Sequence, residues 1–160
     1  MYKRQIYAPL AQQAEKLGIF GHGYTYSAHP VCAAVALRAQ KLMQERDIIG
    51  HVRSIMPTFA GHVASMDSYD FIGNVRSIGL IGAMEFAACK NNHKKFDKSH
   101  KIAAQAVAII QKHGVILRPL PGDIIGFCPP LIISKVELDD MFKRIHDAML
   151  EVEELAAKLR

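Results

Sequence analysis

The sequence predicts an α+β fold, a small antiparallel sheet backed by helices. Three observations predict it. Pro121-Gly122-Asp123 is a strong turn signal between two short apolar runs, so those runs should pair as a hairpin. The apolar pattern changes to a strand-like period over Ile72 to Phe86, on either side of Gly79. The final stretch opens on Ser134 and Glu137, a Ser-x-x-Glu capping box, and continues with helical spacing.

Taken in order, residues 6–17 read as a helix tail ending at Gly18, a candidate C′ glycine. Met1 to Gln5 do not fit that helix and read as a non-native lead. Pro30 suits a first helical turn, and the alanine-rich run to about Glu45 is strongly helix-forming. Its small residues permit close packing, so this helix is expected to be buried. Asp47 to about Met66 reads as a further helix, with Ile48, Val52, Ile55, Phe59 and Val63 at helical spacing and Pro57 as a candidate kink.

Ile72 to Ile78 and Leu80 to Phe86 then read as two strands. A polar loop, Lys90 to Lys98, leads to a helix from about Ser99 to His113, stopped by Gly114. Val115 to Leu117 and Ile124 to Phe127 are the predicted hairpin strands. After the capping box, Leu138, Met141, Phe142, Ile145, Met149, Val152 and Leu155 trace one apolar face.

Composition bounds the function. Half of the 160 residues are hydrophobic and 22% are charged, which is globular rather than disordered. No apolar run is long enough to span a bilayer and no lysine-then-apolar leader is present, so a cytoplasmic protein without membrane contact is expected. The three cysteines, Cys32, Cys89 and Cys128, are scattered and should be reduced thiols. The net charge of +5 is spread along the chain, and its densest cluster lies in the polar loop. A solvated loop explains it better than a nucleic-acid patch. His22, His29 and Cys32 lack the usual close ligand spacing, so no metal is expected.

The richest stretch is Gly21-His22-Gly23-Tyr24-Thr25-Tyr26-Ser27-Ala28-His29-Pro30. A tight turn carrying hydroxyls beside backbone N–H groups is chemically suited to hold a phosphate. As a string it resembles the His-Gly-(Tyr/Phe)-Thr-(Tyr/Phe)-Ser-(Gly/Ala)-His-Pro segment of class III aminotransferases, of the omega-amino acid:pyruvate type. Asn74 to Phe86 is similar to that family's small-domain strands. Gly114 to Leu120 with Ile124 to Ile133 is similar to its C-terminal hairpin. The resemblance covers about residues 17 to 155, in the family's order.

The resemblance implies the C-terminal part of a fold type I pyridoxal-phosphate-dependent transferase. Residues 6–55 would end the large cofactor-binding domain and include the connecting helix, and residues 56–160 would form the small C-terminal domain. It implies amino-group transfer from an amine or omega-amino acid to a keto acid, with pyruvate as the expected acceptor, in a homodimer. Thr25 matches the threonine that binds the cofactor phosphate in the neighbouring subunit, and Tyr24 is a weaker cofactor-binding candidate through its side chain or its N–H.

Arg118 matches the arginine that receives the substrate's α-carboxylate. A guanidinium grips a carboxylate through two parallel hydrogen bonds, and a charge among apolar neighbours is costly unless used. The family's cofactor lysine is expected upstream of residue 1. Neither Lys3 nor Lys16 has its context, so no residue here is assigned a catalytic role. The rival reading is an inert C-terminal module or dimerising domain.

His100, His113 and His146 are expected on helix surfaces. Arg76 is a candidate buried ion-pair partner, Cys128 a packed thiol, and Glu151, Glu153 and Glu154 a solvated helix face.

Overall fold

The computed structural model describes residues 2–18 and 23–160, with side chains described from Tyr7 onward. Gly21 and His22 lie outside the described residues. The chain divides into two compact units, Met1–Leu42 and Met43–Arg160.

In the first unit, α1 spans Tyr2–Leu17. It therefore takes in residues 2–5, which the sequence pattern marks off as a lead. Gly18 follows it with φ 92°, and its N–H reaches back to the Ala14 carbonyl, as a C′ glycine should. A turn over residues 25–28 leads into α2, Pro30–Glu45. The burial expected for α2 is not observed. None of its residues is buried, and Val31, Val35 and Leu37 stand 58–64% exposed. Small side chains make a helix fit for close packing, but they do not themselves supply the partner.

The second unit is a four-stranded antiparallel sheet with helices packed on it. The helix α3, Ile48–Ser65, is capped by the Asp47 carboxylate, which accepts from the Gly50 N–H, and it continues through Pro57. Strands β1, Ile72–Ile78, and β2, Ile81–Phe86, form a hairpin in which Ile78 pairs with Ile81. The two-residue turn between them places Gly79 at φ 58°, the position where a tight hairpin of this length needs positive φ.

The predicted helix from Ser99 is interrupted. Lys98–His100 forms a single 3-10 turn, Lys101 adopts φ 48°, and α4 runs Ile102–Lys112. Strand β3 is Arg118–Leu120 and β4 is Ile124–Phe127. This corrects the expected β3, Val115 to Leu117, by three residues. Proline cannot donate to a ladder, which counts against Pro119 in a strand. The sheet order is β1-β2-β4-β3, so β3 is an edge strand and the missing N–H breaks nothing. The last helix, α5, spans Lys135–Leu159 behind the complete Ser134–Glu137 capping box.

One sheet face is the core. Met84, Phe86, Ile125 and Phe127 point inward against α3, α4 and α5. Phe142 of α5 packs its ring 6.0 Å from Phe59 and 5.5 Å from Phe127. Gly82 permits α3 to lie close on β2. A Cβ there would meet Val63 Cγ2 at 2.9 Å and Phe59 Cζ at 3.0 Å. The opposite face of the sheet, with Arg76, Ala83, Gly126 and Arg118, carries no buried residue in that row.

Candidate functional site

The turn around Thr25 is closed by its neighbours. The Ser27 N–H donates to the Tyr24 carbonyl at 2.9 Å, and the Tyr24 N–H donates to Ser27 Oγ at 3.0 Å. The His29 N–H donates to the Tyr26 carbonyl at 3.2 Å, and Ala28 sits at φ 59°. Ser27 thus takes the part that a turn hydroxyl usually plays. Among the described residues the Thr25 hydroxyl makes no hydrogen bond, and the N–H groups of Thr25 and Tyr26 donate to no backbone carbonyl. Thr25 is exposed.

For Tyr24 the two expected routes separate. Its backbone N–H is already occupied by Ser27 Oγ, and its side chain is exposed.

Arg118 begins the edge strand β3, opposite Gly126. It is exposed, so the cost of burying a charge does not arise there. Among the described residues no carboxylate lies within ion-pair distance of its guanidinium. It borders a cavity of about 460 Å³ walled by Leu117, Leu120, Phe127, Cys128 and Met141, and no other charged residue lines that cavity. An open guanidinium beside an apolar hollow can take a carboxylate whose body sits in the hollow. Cys128, expected to be packed, is exposed at this wall.

The other charged residues of this face are paired. Arg76 lies 3.6 Å from Glu85 and donates to Asn74 Oδ1 at 3.0 Å, so its ion pair exists but at the surface. Lys95 holds Glu85 more closely, at 2.9 Å. The hydrogen bond from Lys95, ahead of the attraction of both cations, holds the Glu85 carboxyl below its usual range. The sequence reading missed Glu85 and Lys95. Lys95 comes from the polar loop, and only tertiary folding brings it to the sheet.

The histidines are less uniform than surface positions would be. His113 pairs with Glu151 at 2.8 Å, which removes Glu151 from the purely solvated face. His100 is half-buried and its Nδ1 has no partner. His146 is half-buried between Tyr69, whose hydroxyl lies 2.8 Å from Nδ1, and Ser65, whose Oγ lies 3.2 Å from Nε2. Burial, and then the nearness of His62, lowers its pKa. His29 and Cys32 are both exposed, and His22, the third member of the rejected metal set, lies outside the described residues.

The family model described as aminotransferase class-III matches residues 5–149. This chain belongs to the class-III aminotransferase family. It is 38% identical over 160 residues to a mitochondrial gamma-aminobutyrate transaminase 1 of Oryza sativa subsp. indica, covering 100% of this chain and 31% of that protein. It is 35% identical over 150 residues to an uncharacterized aminotransferase of Sinorhizobium fredii, covering 92% of this chain and 32% of that one. Among solved structures, an aminotransferase from Vibrio fluvialis in a PMP-bound form matches with a TM-score of 0.81 and 29% identity, over 94% of this chain and 32% of that one. A transaminase from directed evolution by ancestral reconstruction matches with a TM-score of 0.86 and 33% identity, over 94% and 33%.

The chain therefore spans about a third of the length of the relatives it matches. Its sheet and helices are the corresponding part of the fold type I transferase fold. No described helix is long and apolar enough to cross a membrane.

Proposed function

We propose that this chain is the part of a pyridoxal-phosphate-dependent transaminase that recognises the substrate carboxylate through Arg118 and contributes a phosphate contact through Thr25. The observation that carries this reading is the open guanidinium of Arg118 beside an apolar hollow. The family match and the PMP-bound and PLP-bound neighbours support the cofactor. The donor set at the 25–28 turn fits a phosphate: one unengaged hydroxyl and two N–H groups without backbone acceptors, on an exposed turn. Pyridoxal phosphate supplies the electron sink when bound.

In this reading Thr25 acts across a homodimer on the cofactor of the neighbouring subunit, and Tyr24 is a weaker cofactor contact. Residues 56–160 form the small domain and the residues before them end the large one. Arg118 orients the substrate by fixing its α-carboxylate, and the apolar wall keeps water from the bound body. The amino donor is an amine or omega-amino acid, the acceptor a keto acid such as pyruvate, and the setting cytoplasmic, which the three free cysteines support. The exposed Val31, Val35 and Leu37 also suit the rival dimerising module, but that reading leaves Arg118 without a role.

The test is a contrast in a full-length enzyme that contains this chain. Arg118→Ala should slow the half-reaction with alanine by roughly ten- to a hundredfold, the value of a hydrogen bond to a charged group at about 1.5–3 kcal/mol. The half-reaction with an amine lacking a carboxylate should change little. Equal losses in single-turnover rates on both substrates would make Arg118 a structural residue of the hairpin.

A further inference from the structure

A separate hollow of about 540 Å³ opens between the β3–β4 turn and the first turn of α4. Arg118 does not line it, and among the described residues only Leu120 borders both this hollow and the one beside Arg118. Lys95, Lys98 and Lys101 line it together with an apolar wall that includes Ala104, Pro119, Leu120 and Pro121. The three lysines recur every third residue. Lys98–His100 is a 3-10 turn, and at three residues per turn positions i and i+3 lie over one another. In a continuous α-helix each such step would rotate the side chain by about 60°. The break in the helix at Lys101, φ 48°, is therefore what allows Lys98 and Lys101 to share one hollow.

The nearby acids do not neutralise these lysines. Lys98 and Lys101 are exposed, and among the described residues no carboxylate lies within ion-pair distance of either. Lys95 is held by Glu85 at 2.9 Å. Asp97 turns its carboxylate onto the Ser99 N–H and hydroxyl, at 2.8 and 2.6 Å, and does not line the hollow. Asp123 does line it, but its Oδ1 faces the Ala103 N–H at 3.5 Å. Among the described residues the lining has two more cationic side chains than anionic ones.

We propose that this hollow binds a soluble organic phosphate monoester, with its phosphate on Lys98 and Lys101 and its apolar body between Ala104 and the Pro119–Pro121 wall. The charge fits, because a phosphate monoester carries about −1.5 to −2 at neutral pH. The side-chain type fits as well. An ammonium on a flexible stem is a point charge that can approach a tetrahedral phosphate from any side. A planar carboxylate is matched by the fork of an arginine, and no arginine lines this hollow. The apolar wall favours an ester over inorganic phosphate. A hollow set between a hairpin turn and a helix favours a small ligand over a flat bilayer surface. The site does not depend on the role of Arg118.

The experiment uses the full-length enzyme saturated with pyridoxal phosphate, so that the cofactor's own phosphate position is filled. Phenyl phosphate and inorganic phosphate are titrated by calorimetry. Phenyl phosphate should bind about tenfold more tightly, because its ring is taken out of water. Lys98→Gln and Lys101→Gln should each weaken it by roughly threefold, and together by about tenfold, the scale of exposed ion pairs. Ala104→Phe, at an exposed position on α4, should weaken it several-fold by filling the space of the ring. The alanine half-reaction and the thermal midpoint of the lysine variants should stay at parent values. No saturable binding of phenyl phosphate would overturn the site, as would binding no tighter than that of inorganic phosphate or binding that ignores the double lysine variant. Retention on phosphatidate vesicles in place of phenyl phosphate binding would assign the lysines to a lipid surface and overturn it too.

Discussion

Replacing Thr25 by alanine removes one hydroxyl from a turn that does not use it. The turn is held by the Tyr24 carbonyl accepting from Ser27 N–H at 2.9 Å and by Ser27 Oγ accepting from Tyr24 N–H at 3.0 Å. Both contacts survive the substitution, so the change in the folded protein is confined to one donor. If that donor binds the cofactor phosphate, the loss is one hydrogen bond to a charged group, about 1.5–3 kcal/mol. Cofactor dissociation should then rise by roughly ten- to a hundredfold, since about 1.4 kcal/mol is a factor of ten.

Thr25→Ser keeps the hydroxyl and should restore most of the affinity. Ser27→Ala is the opposite control, because it frees the Tyr24 N–H and loosens the turn itself. The assay is equilibrium titration of the cofactor-free full-length enzyme with pyridoxal phosphate, followed by absorbance and by thermal shift. Unchanged dissociation for Thr25→Ala would refute the phosphate role. So would an equal weakening by Thr25→Ser, which would point to the methyl group rather than the hydroxyl.

The second unit yields three further expected outcomes. Gly82→Ala places a Cβ 2.9 Å from Val63 and 3.0 Å from Phe59, so overpacking should lower stability by about 1–3 kcal/mol. Gly61→Ala, in open space on α3, should raise it by about 1 kcal/mol. Denaturant midpoints compare the two, and a neutral Gly82→Ala would mean that the sheet and α3 have room to separate. His146 should make stability fall with acid. Its folded pKa lies below the unfolded value because burial, and then His62, disfavour the charged form, while Asp147 opposes this weakly. The contribution is whole above the unfolded pKa, near 6.5, and is lost as pH falls through the folded one.

The hydrogen bonds agree with that sign. Ser65 Oγ donates to the His62 carbonyl, so His146 Nε2–H donates to Ser65 and Nδ1 accepts from Tyr69. A second proton on Nδ1 would end its acceptance from Tyr69, whose hydroxyl would have to turn and accept instead. The slope of unfolding free energy between pH 7 and 5 should flatten in His146→Gln, and a slope unchanged by that substitution would assign the acid sensitivity elsewhere.

Much of the second unit was legible in the sequence because its signals act within four residues. The Ser134–Glu137 capping box, the Pro121-Gly122-Asp123 turn and the strand break at Gly79 are each specified locally, and all three are present as read. The family, too, was legible, since the Gly-Tyr-Thr-Tyr string and the hairpin survive as ordered residue types. What tertiary structure alone decided were pairings across long chain separations. Local propensity pointed to Val115–Leu117 as strand and away from Pro119, whereas the edge position of β3 made Pro119 harmless and moved the strand onto Arg118. The alanine-rich composition of α2 said that it could be packed closely, not what would cover it. The line of Arg76, Ala83, Gly126 and Arg118 depends on the register of three separate strand pairs, and register is set by which faces are buried. No spacing within the chain encodes that row, because its ends are brought together only when Met84 and Ile125 turn the other face of the sheet into the core.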